Sequence, residues 1–215
     1  LVEDGAGEGS GLSNQLYEKH GAHIADRNDI FFRSEMIIKV KEPIAEEYPL
    51  LREGQILYTY LHLAANRELT DELLIRRITA VAYETVTDAS GHLPLLKPMS
   101  EIAGRMAIQE GAKFLEKPQG GRGVLLGGLP GVAPADVVVL GAGVVGLNAA
   151  MIAAGMGASV HLVDVNIHAL RHAEAMMPAN VSTYMSNSYN LERLVPAADL
   201  LICAVLVPGA RAPKL

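Results

Sequence analysis

The sequence predicts an α/β protein with parallel β-sheets, and two observations carry that prediction. Short apolar runs that favour strands alternate with segments whose Leu and Ile recur at helical spacing. In the second half of the chain, a glycine-rich turn also stands between a strand-like run and an alanine-rich run. Strands that alternate with helices are joined by right-handed crossovers and therefore pair in parallel.

Composition limits the kinds of partner. The 215 residues are 50% hydrophobic, which is enough for a sizeable core in one large or two small domains. The net charge of −6 argues against nucleic acid or a membrane surface as partner, because both favour clustered Lys and Arg. The single cysteine, Cys203, lies in an apolar strand-like run and fits a reducing compartment. We therefore expect a cytoplasmic protein, and we expect no metal site.

One apolar stretch and the two ends of the sequence affect the domain prediction. Residues 137–160 have almost no polar side chain and are long enough for a membrane span. Their β-branched start, followed by three glycines, favours a buried strand, a turn and a helix instead. The chain begins with Leu1 rather than Met and ends at Leu215 without a terminal helix. We therefore expect a piece of a longer protein in which both domains are incomplete.

The first domain is predicted over residues 1–95. Its strand-like runs are residues 36–40, 55–63 and 79–86, and its helical segments are residues 42–54 and 66–77. This order of strand, helix, strand, helix and strand predicts a parallel sheet, and we expect the domain to be a flavodoxin-like α/β substrate domain.

Three polar side chains fall where such a sheet binds ligands. Lys41 follows the first run, His62 closes the second and Glu84 lies near the end of the third. Because ligands bind beyond the carboxyl ends of parallel strands, a cation, a base and a carboxylate are expected to share one crevice. Each also has a structural interpretation. His62 can be merely solvated, Glu84 can pair with a lysine, and Lys39 with Lys41 can form a solvated edge.

The second domain, residues 96–215, is predicted to hold a Rossmann-type parallel sheet. A helix from about Glu101 to Glu116, with Ser100 as its cap, leads into a Gly- and Pro-rich loop or hairpin over residues 120–135. After the glycine turn, helices are expected near residues 169–176 and 191–197, and strands near residues 181–184 and 199–206.

Gly141, Gly143 and Gly146 form the pattern G-x-G-x-x-G between a buried strand and a helix. Such glycines allow a tight turn, close approach of the backbone to a pyrophosphate, and close packing of helix on strand. Asp164 follows Gly146 by eighteen positions, where a carboxylate accepts hydrogen bonds from both ribose hydroxyls and repels a 2′-phosphate. NAD is therefore favoured over NADP. The alternative is a glycine-rich turn that binds no ligand.

Six motifs occur in order along nearly the whole chain: KVKEP, YTYLHLAA, AYETV, LPLLKPMSEIAGRMA, GGRGVLLGGLPGV and AVLVPGARAPKL. Together they resemble the alanine dehydrogenase family, whose architecture is shared by transhydrogenase and lysine-pathway dehydrogenase domains. The resemblance implies reversible conversion of L-alanine, NAD and water into pyruvate, ammonium and NADH. It also implies a homo-oligomer, in many members a hexamer.

The resemblance implies roles for individual residues. Lys41, the second lysine of KVKEP, would bind the substrate near its carboxylate and carbonyl, and His62 would be the acid/base. Such chemistry suits a fixed positive charge and an imidazole whose unperturbed pKa is about 6.5. The crevice between the two domains is the expected place for it, and closure of that crevice would bring cofactor and substrate together. Besides the glycines, the implied cofactor contacts are Ser100, Val144, Val145, Asp164, Ser186, Val205 and Leu206.

The sequence also departs from the family pattern. A substrate-binding arginine in N-x-x-R-V-A is expected before Leu1, and a catalytic aspartate in D-x-A-x-D-Q-G-G after Leu215. We therefore expect the full-length protein to be active and the 215-residue piece alone to be inactive. His168 and Ala169 also stand where the family has a basic side chain, so NAD affinity is expected to differ. The alternative function is a non-catalytic, transhydrogenase-like NAD(H)-binding domain, which does not require His62 and Lys41.

Overall fold

The computed structural model describes residues 1–205, and the chain divides between Leu96 and Lys97 into two compact units. Each unit is α/β and contains a parallel sheet, as the sequence predicts. Residues 137–160 form strand, turn and helix. Among the described residues, no helix has both the length and the hydropathy that crossing a bilayer requires.

The first unit contains two parallel sheets. Its elements are β1 (Val2–Glu3), α1 (Asn14–Lys19), β2 (Ile24–Ala25), α2 (Arg27–Arg33), β3 (Met36–Ile38), β4 (Ile56–Thr59), α3 (Arg67–Ile75) and β5 (Thr79–Ala82). Strands β1 and β2 pair with each other, and β4 lies between β3 and β5 in the second sheet. The carboxyl ends of β3, β4 and β5 therefore meet at one edge.

Helix α3 forms where the sequence predicts it. The Asn66 side chain accepts a hydrogen bond from the Leu69 N–H at 3.0 Å and so caps a free donor of the first turn. Leu69 and Leu73 lie four residues apart on the buried face and pack with Leu57 and Ile37 of the sheet. This core fixes the central strand β4, from which the candidate site extends.

The prediction of a helix over residues 42–54 is wrong. The segment contains only a short 3-10 turn at Tyr48–Leu50. Pro43 and Pro49 explain the difference, because proline has no N–H for the helical ladder and clashes with the preceding turn. The predicted strands are also too long at their carboxyl ends, since β4 ends at Thr59 and β5 at Ala82. Sequence analysis did not predict the elements before residue 36.

The second unit has the strand order β8-β7-β6-β9, all parallel. Its elements are α4 (Lys97–Phe114), β6 (Asp136–Leu140), α5 (Val144–Gly155), β7 (Ser159–Asp164), α6 (Ile167–Met176), β8 (Val181–Met185), α7 (Ser188–Leu194) and β9 (Leu200–Cys203). Val137 and Val139 of β6 face one hydrophobic cluster, and Val138 faces another. Both faces of β6 are therefore covered, as in a Rossmann-type sheet.

Helix α4 differs from its prediction at its start. It begins at Lys97, so Ser100 lies within its first turn and is not its cap. The helix packs closely on α5, because a Cβ at Gly104 would come within 2.2 Å of the Val145 carbonyl oxygen. Residues 120–135 form turns with a single antiparallel bridge between Leu129 and Val132, as the predicted loop or hairpin requires. Cys203 ends β9 and is exposed.

Candidate functional site

His62 was predicted to close the second strand, but it lies in the loop after β4, three residues beyond Thr59 and directly before a 3-10 turn at Leu63–Ala65. Its backbone is left-handed, with φ 50° and ψ 35°. This conformation costs a residue with a Cβ about 1 kcal/mol or more, and it persists only where surrounding contacts enforce it. The side chain is 42% exposed, so a ligand can reach the imidazole.

Glu84 contacts the main chain at this left-handed position. It lies in the 3-10 turn Tyr83–Thr85 directly after β5. Its Oε1 accepts hydrogen bonds from the main-chain N–H of His62 at 2.7 Å and of Leu61 at 3.0 Å. Burial acts to raise the pKa of Glu84, but the main-chain N–H groups of His62, of Glu84 itself and of Leu61, together with the charge of His62, outweigh it and hold the pKa below its usual range. The carboxylate therefore contacts the main chain of the His62 loop.

Glu42 contacts the imidazole itself, and sequence analysis missed it. Its Oε2 lies 3.2 Å from His62 Nδ1. The pKa of Glu42 is lowered, first by a backbone N–H of its own residue and then, against some burial, by His62. An ionised carboxylate only accepts hydrogen bonds, so the contact requires hydrogen on Nδ1 and leaves Nε2 to exchange a proton. The available signal was the carboxylate beside Lys41 in KVKEP.

Lys41 and Lys39 have different surroundings. Lys41 follows β3, and its side chain is exposed. Its main-chain carbonyl oxygen accepts a hydrogen bond from the Thr59 hydroxyl at 2.9 Å. This bond ties the Lys41 main chain to the carboxyl end of β4. The Lys39 ammonium instead pairs with Glu47, which is only 4% exposed. Lys39 therefore does not form the solvated edge that the sequence allowed.

The three glycines of the G-x-G-x-x-G turn serve three different geometric needs. Gly141 has φ 101°, and a Cβ there would lie 2.7 Å from the Ala204 carbonyl oxygen. A Cβ on Gly146 would lie 1.7 Å from the Gly141 carbonyl oxygen, so only glycine allows α5 to pack this closely on the turn. Gly143, directly before α5, faces open space. A ligand can therefore approach the backbone at Gly143.

Asp164 holds the same turn from the end of β7. Its Oδ2 accepts the Ala142 N–H at 2.6 Å, and its Oδ1 accepts the Asn166 N–H at 2.7 Å. A carboxylate has about four lone-pair positions, so two remain for hydroxyl donors. The Ser186 N–H donates to the Asp164 carbonyl oxygen at 2.9 Å, which fixes the neighbouring loop after β8.

The remaining predicted cofactor residues lie on different elements. Val144 and Val145 are the first residues of α5, and no side chain of the described residues caps this helix. Val205 follows β9 and is exposed. Ser100 lies on α4, one turn before Gly104, the glycine at which α4 packs on α5. Leu206 lies outside the described residues.

This arrangement suits the pyrophosphate and ribose of a dinucleotide. The free N–H groups at the start of α5 favour an anion, Gly143 leaves room for it, and Asp164 offers acceptors at the adjacent strand end. Fold and turn together place the chain in the class of α/β proteins with a Rossmann-type domain.

Family comparisons assign the chain more narrowly. The model of the Alanine dehydrogenase/PNT N-terminal domain matches residues 1–103, and that of the Alanine dehydrogenase/PNT C-terminal domain matches residues 107–215. The chain belongs to the alanine dehydrogenase/PNT family.

Individual relatives agree with the family. An alanine dehydrogenase of Methanococcus maripaludis is 56% identical over 215 residues, which are 100% of this chain and 58% of the relative. A solved L-alanine dehydrogenase is 52% identical with a TM-score of 0.88, covering 99% of this chain and 59% of the other. A transhydrogenase structure from Sinorhizobium meliloti is 26% identical with a TM-score of 0.77, and the match covers 100% of this chain and 62% of the other. The chain thus spans somewhat more than half the length of these relatives.

Proposed function

We propose that the full-length protein is an NAD-dependent alanine dehydrogenase. It converts L-alanine, NAD and water reversibly into pyruvate, ammonium and NADH. The observation that carries the proposal is the identity to alanine dehydrogenases over the whole chain, 56% in one relative, with the implied His62, Lys41, Gly141 and Asp164 all present. Because the chain spans 58% of that relative, the activity is proposed for the full-length protein.

In this proposal residues 96–215 bind the cofactor and residues 1–95 bind the substrate. Bound NAD would supply the hydride acceptor for the oxidation of alanine. The geometry that supports NAD as ligand is the open backbone at Gly143 and the spare acceptor positions of Asp164, which suit two ribose hydroxyls. A 2′-phosphate would meet the negative charge of Asp164.

The chain's own residues supply the remaining chemistry. Lys41 binds the substrate carboxylate and carbonyl oxygen through its exposed ammonium group. Glu42 keeps hydrogen on Nδ1 of His62, so Nε2 removes a proton from the water that attacks the imine carbon. In the reverse direction the same nitrogen returns that proton as water leaves. The predicted cytoplasmic location and hexameric assembly belong to the same proposal.

The alternative is a transhydrogenase-like unit that binds NAD(H) without acting on an amino acid. The likeness to the Sinorhizobium meliloti structure favours it, with a TM-score of 0.77. The dehydrogenase is the stronger proposal because a binding unit requires neither an exposed imidazole fixed by Glu42 nor the ammonium of Lys41.

The test is the absorbance of NADH after addition of L-alanine and NAD to the full-length protein at alkaline pH. His62→Ala should lower kcat by roughly 10²- to 10⁴-fold, as expected for loss of a positioned acid/base. NAD binding, measured by calorimetry, should remain. The matched control is His92→Ala, because His92 also contacts a carboxylate, that of Asp88 at 3.3 Å, and is exposed. Alanine-dependent turnover that survives His62→Ala would remove His62 from the mechanism, and a wild-type protein that binds NAD without turnover would favour the alternative.

A further inference from the structure

We propose that Glu84 is a positioning residue for His62. Its carboxylate accepts hydrogen bonds from the main-chain N–H groups of Leu61 and His62 and so fixes His62 in the left-handed conformation, which directs the imidazole toward the substrate. The inference deepens the proposed function and rests on it, because the position of His62 matters for turnover only if His62 exchanges protons with the substrate.

The main-chain geometry requires such a partner. In the left-handed region at His62, with φ 50° and ψ 35°, the Cβ crowds the backbone. Consecutive N–H groups beside such a residue can point into one concavity that suits an anion. At this loop the N–H groups of Leu61 and His62 both donate to Oε1 of Glu84. The Leu61 N–H also lies 3.3 Å from Oε2 of the same carboxylate. Hydrogen bonds to an ionised acceptor are stronger than neutral ones, so Glu84 can hold a conformation that the chain alone disfavours.

The anchor itself is held firmly. Glu84 lies in the 3-10 turn Tyr83–Thr85, and the Tyr83 ring packs edge-on against Tyr58 at 4.3 Å and against Tyr60 at 4.9 Å between ring centroids. The Tyr60 hydroxyl in turn donates to the Leu95 carbonyl oxygen. Because the turn that carries Glu84 is well packed, its carboxylate is held in place and can fix the direction of His62.

The same contacts argue against a direct chemical role for Glu84. Three of its hydrogen-bond contacts go to main-chain N–H groups of Leu61 and His62. A group that performed acid/base chemistry would have to release these bonds when protonated. Glu84 therefore acts on the reaction through His62.

The test compares Glu84→Ala, Glu84→Gln and the control Thr85→Ala in the full-length protein. Thr85 lies in the same turn and donates to the Ala82 carbonyl oxygen at 3.0 Å, so Thr85→Ala removes a neighbouring side-chain hydrogen bond and leaves the carboxylate of Glu84 in place. Glu84→Ala should lower kcat by roughly 10- to 100-fold, because small misplacement of a reacting group has effects of this size. Glu84→Gln keeps one oxygen acceptor and should recover most of the loss. The KM for NAD should change little in every variant.

A second measurement does not depend on activity. Hydrogen exchange, followed by mass spectrometry on a peptide that contains Leu61 and His62, should be faster in Glu84→Ala and unchanged in Thr85→Ala. If Glu84→Ala does not fold, Glu84→Gln still tests the inference, with intermediate exchange and intermediate kcat expected. Unchanged exchange at this loop, or faster exchange with unchanged kcat, would overturn the inference. An inactive wild-type protein whose loop protection depends on Glu84 would instead reject the proposed function and support the main-chain contact.

Discussion

Asp164 has two roles, since it is the proposed ribose ligand and it also stabilises the main chain around the glycine turn. Its two carboxylate oxygens bind the main chain on both sides, at Ala142 in the glycine turn and at Asn166 before α6. The proposed ribose hydroxyls would use the remaining acceptor positions of the same group. A change at Asp164 therefore alters both the ligand contact and the turn that holds the ligand.

We expect Asp164→Ala to weaken NAD binding by roughly 10- to 100-fold, the size of one or two charge-assisted hydrogen bonds. NADP should lose less, because the negative charge that repels its 2′-phosphate is gone. Asp164→Asn is the matched variant, since it removes the charge and keeps one oxygen acceptor for a main-chain N–H. Calorimetric Kd values for both dinucleotides provide the measurement. An unchanged NAD to NADP ratio in both variants would contradict the ribose assignment.

The strand-turn-helix element around Gly146 could be predicted from local sequence. The turn, the helix and the acidic residue follow one another within thirty residues, and sequence analysis predicted each of them. The segment 42–54 shows the opposite case, because its helical spacing of Leu and Ile was outweighed by two prolines. Hydrophobic spacing predicts which face is buried, but proline decides whether the backbone can form the helix.

Two glycines of α5 give a matched pair of substitutions. Gly146→Ala would place a Cβ 1.7 Å from the Gly141 carbonyl oxygen, so the helix would have to move away from the turn. We expect a loss of roughly 2 kcal/mol or more in the free energy of unfolding, typical of overpacking, together with weaker NAD binding. Gly155→Ala meets nothing within 4 Å and should stabilise by up to about 1 kcal/mol through helix propensity. Thermal unfolding checks both, and equal melting temperatures would contradict this account.

At the scale of the whole molecule, acid stability should depend on Glu84. Its pKa in the folded state lies below the ordinary value of 4.5, so its ionised form stabilises the fold above that pH. The contribution is lost as the pH falls through the lower folded pKa. Glu84→Gln removes this titration, and its free energy of unfolding should fall less steeply below about pH 4.5. Urea unfolding at a series of pH values measures the slope, and Glu18→Gln on α1, which removes an exposed carboxylate, serves as control. Equal slopes in Glu84→Gln and the wild type would be inconsistent with this prediction.

The sequence could predict the parallel sheets and the edge at which Lys41, His62 and Glu84 fall. Both follow from local apolar runs and from the alternation of strands with helices along the chain. It could not predict the hydrogen bond between Glu84 and His62, which are separated by 22 positions. Nor could it predict the left-handed backbone at His62, which local preference disfavours and long-range contacts maintain. The contact of Glu42 with the imidazole depends on the same loop conformation.

Cys203 gives the second unit a practical property. It is the one cysteine of this sequence, it is exposed, and its strand position pairs with Leu140, the residue before the glycine turn. A small thiol-reactive fluorophore would attach beside the turn without any engineered residue. Changes in its emission on titration with dinucleotide would then report binding at the glycine turn, without any need for substrate or turnover.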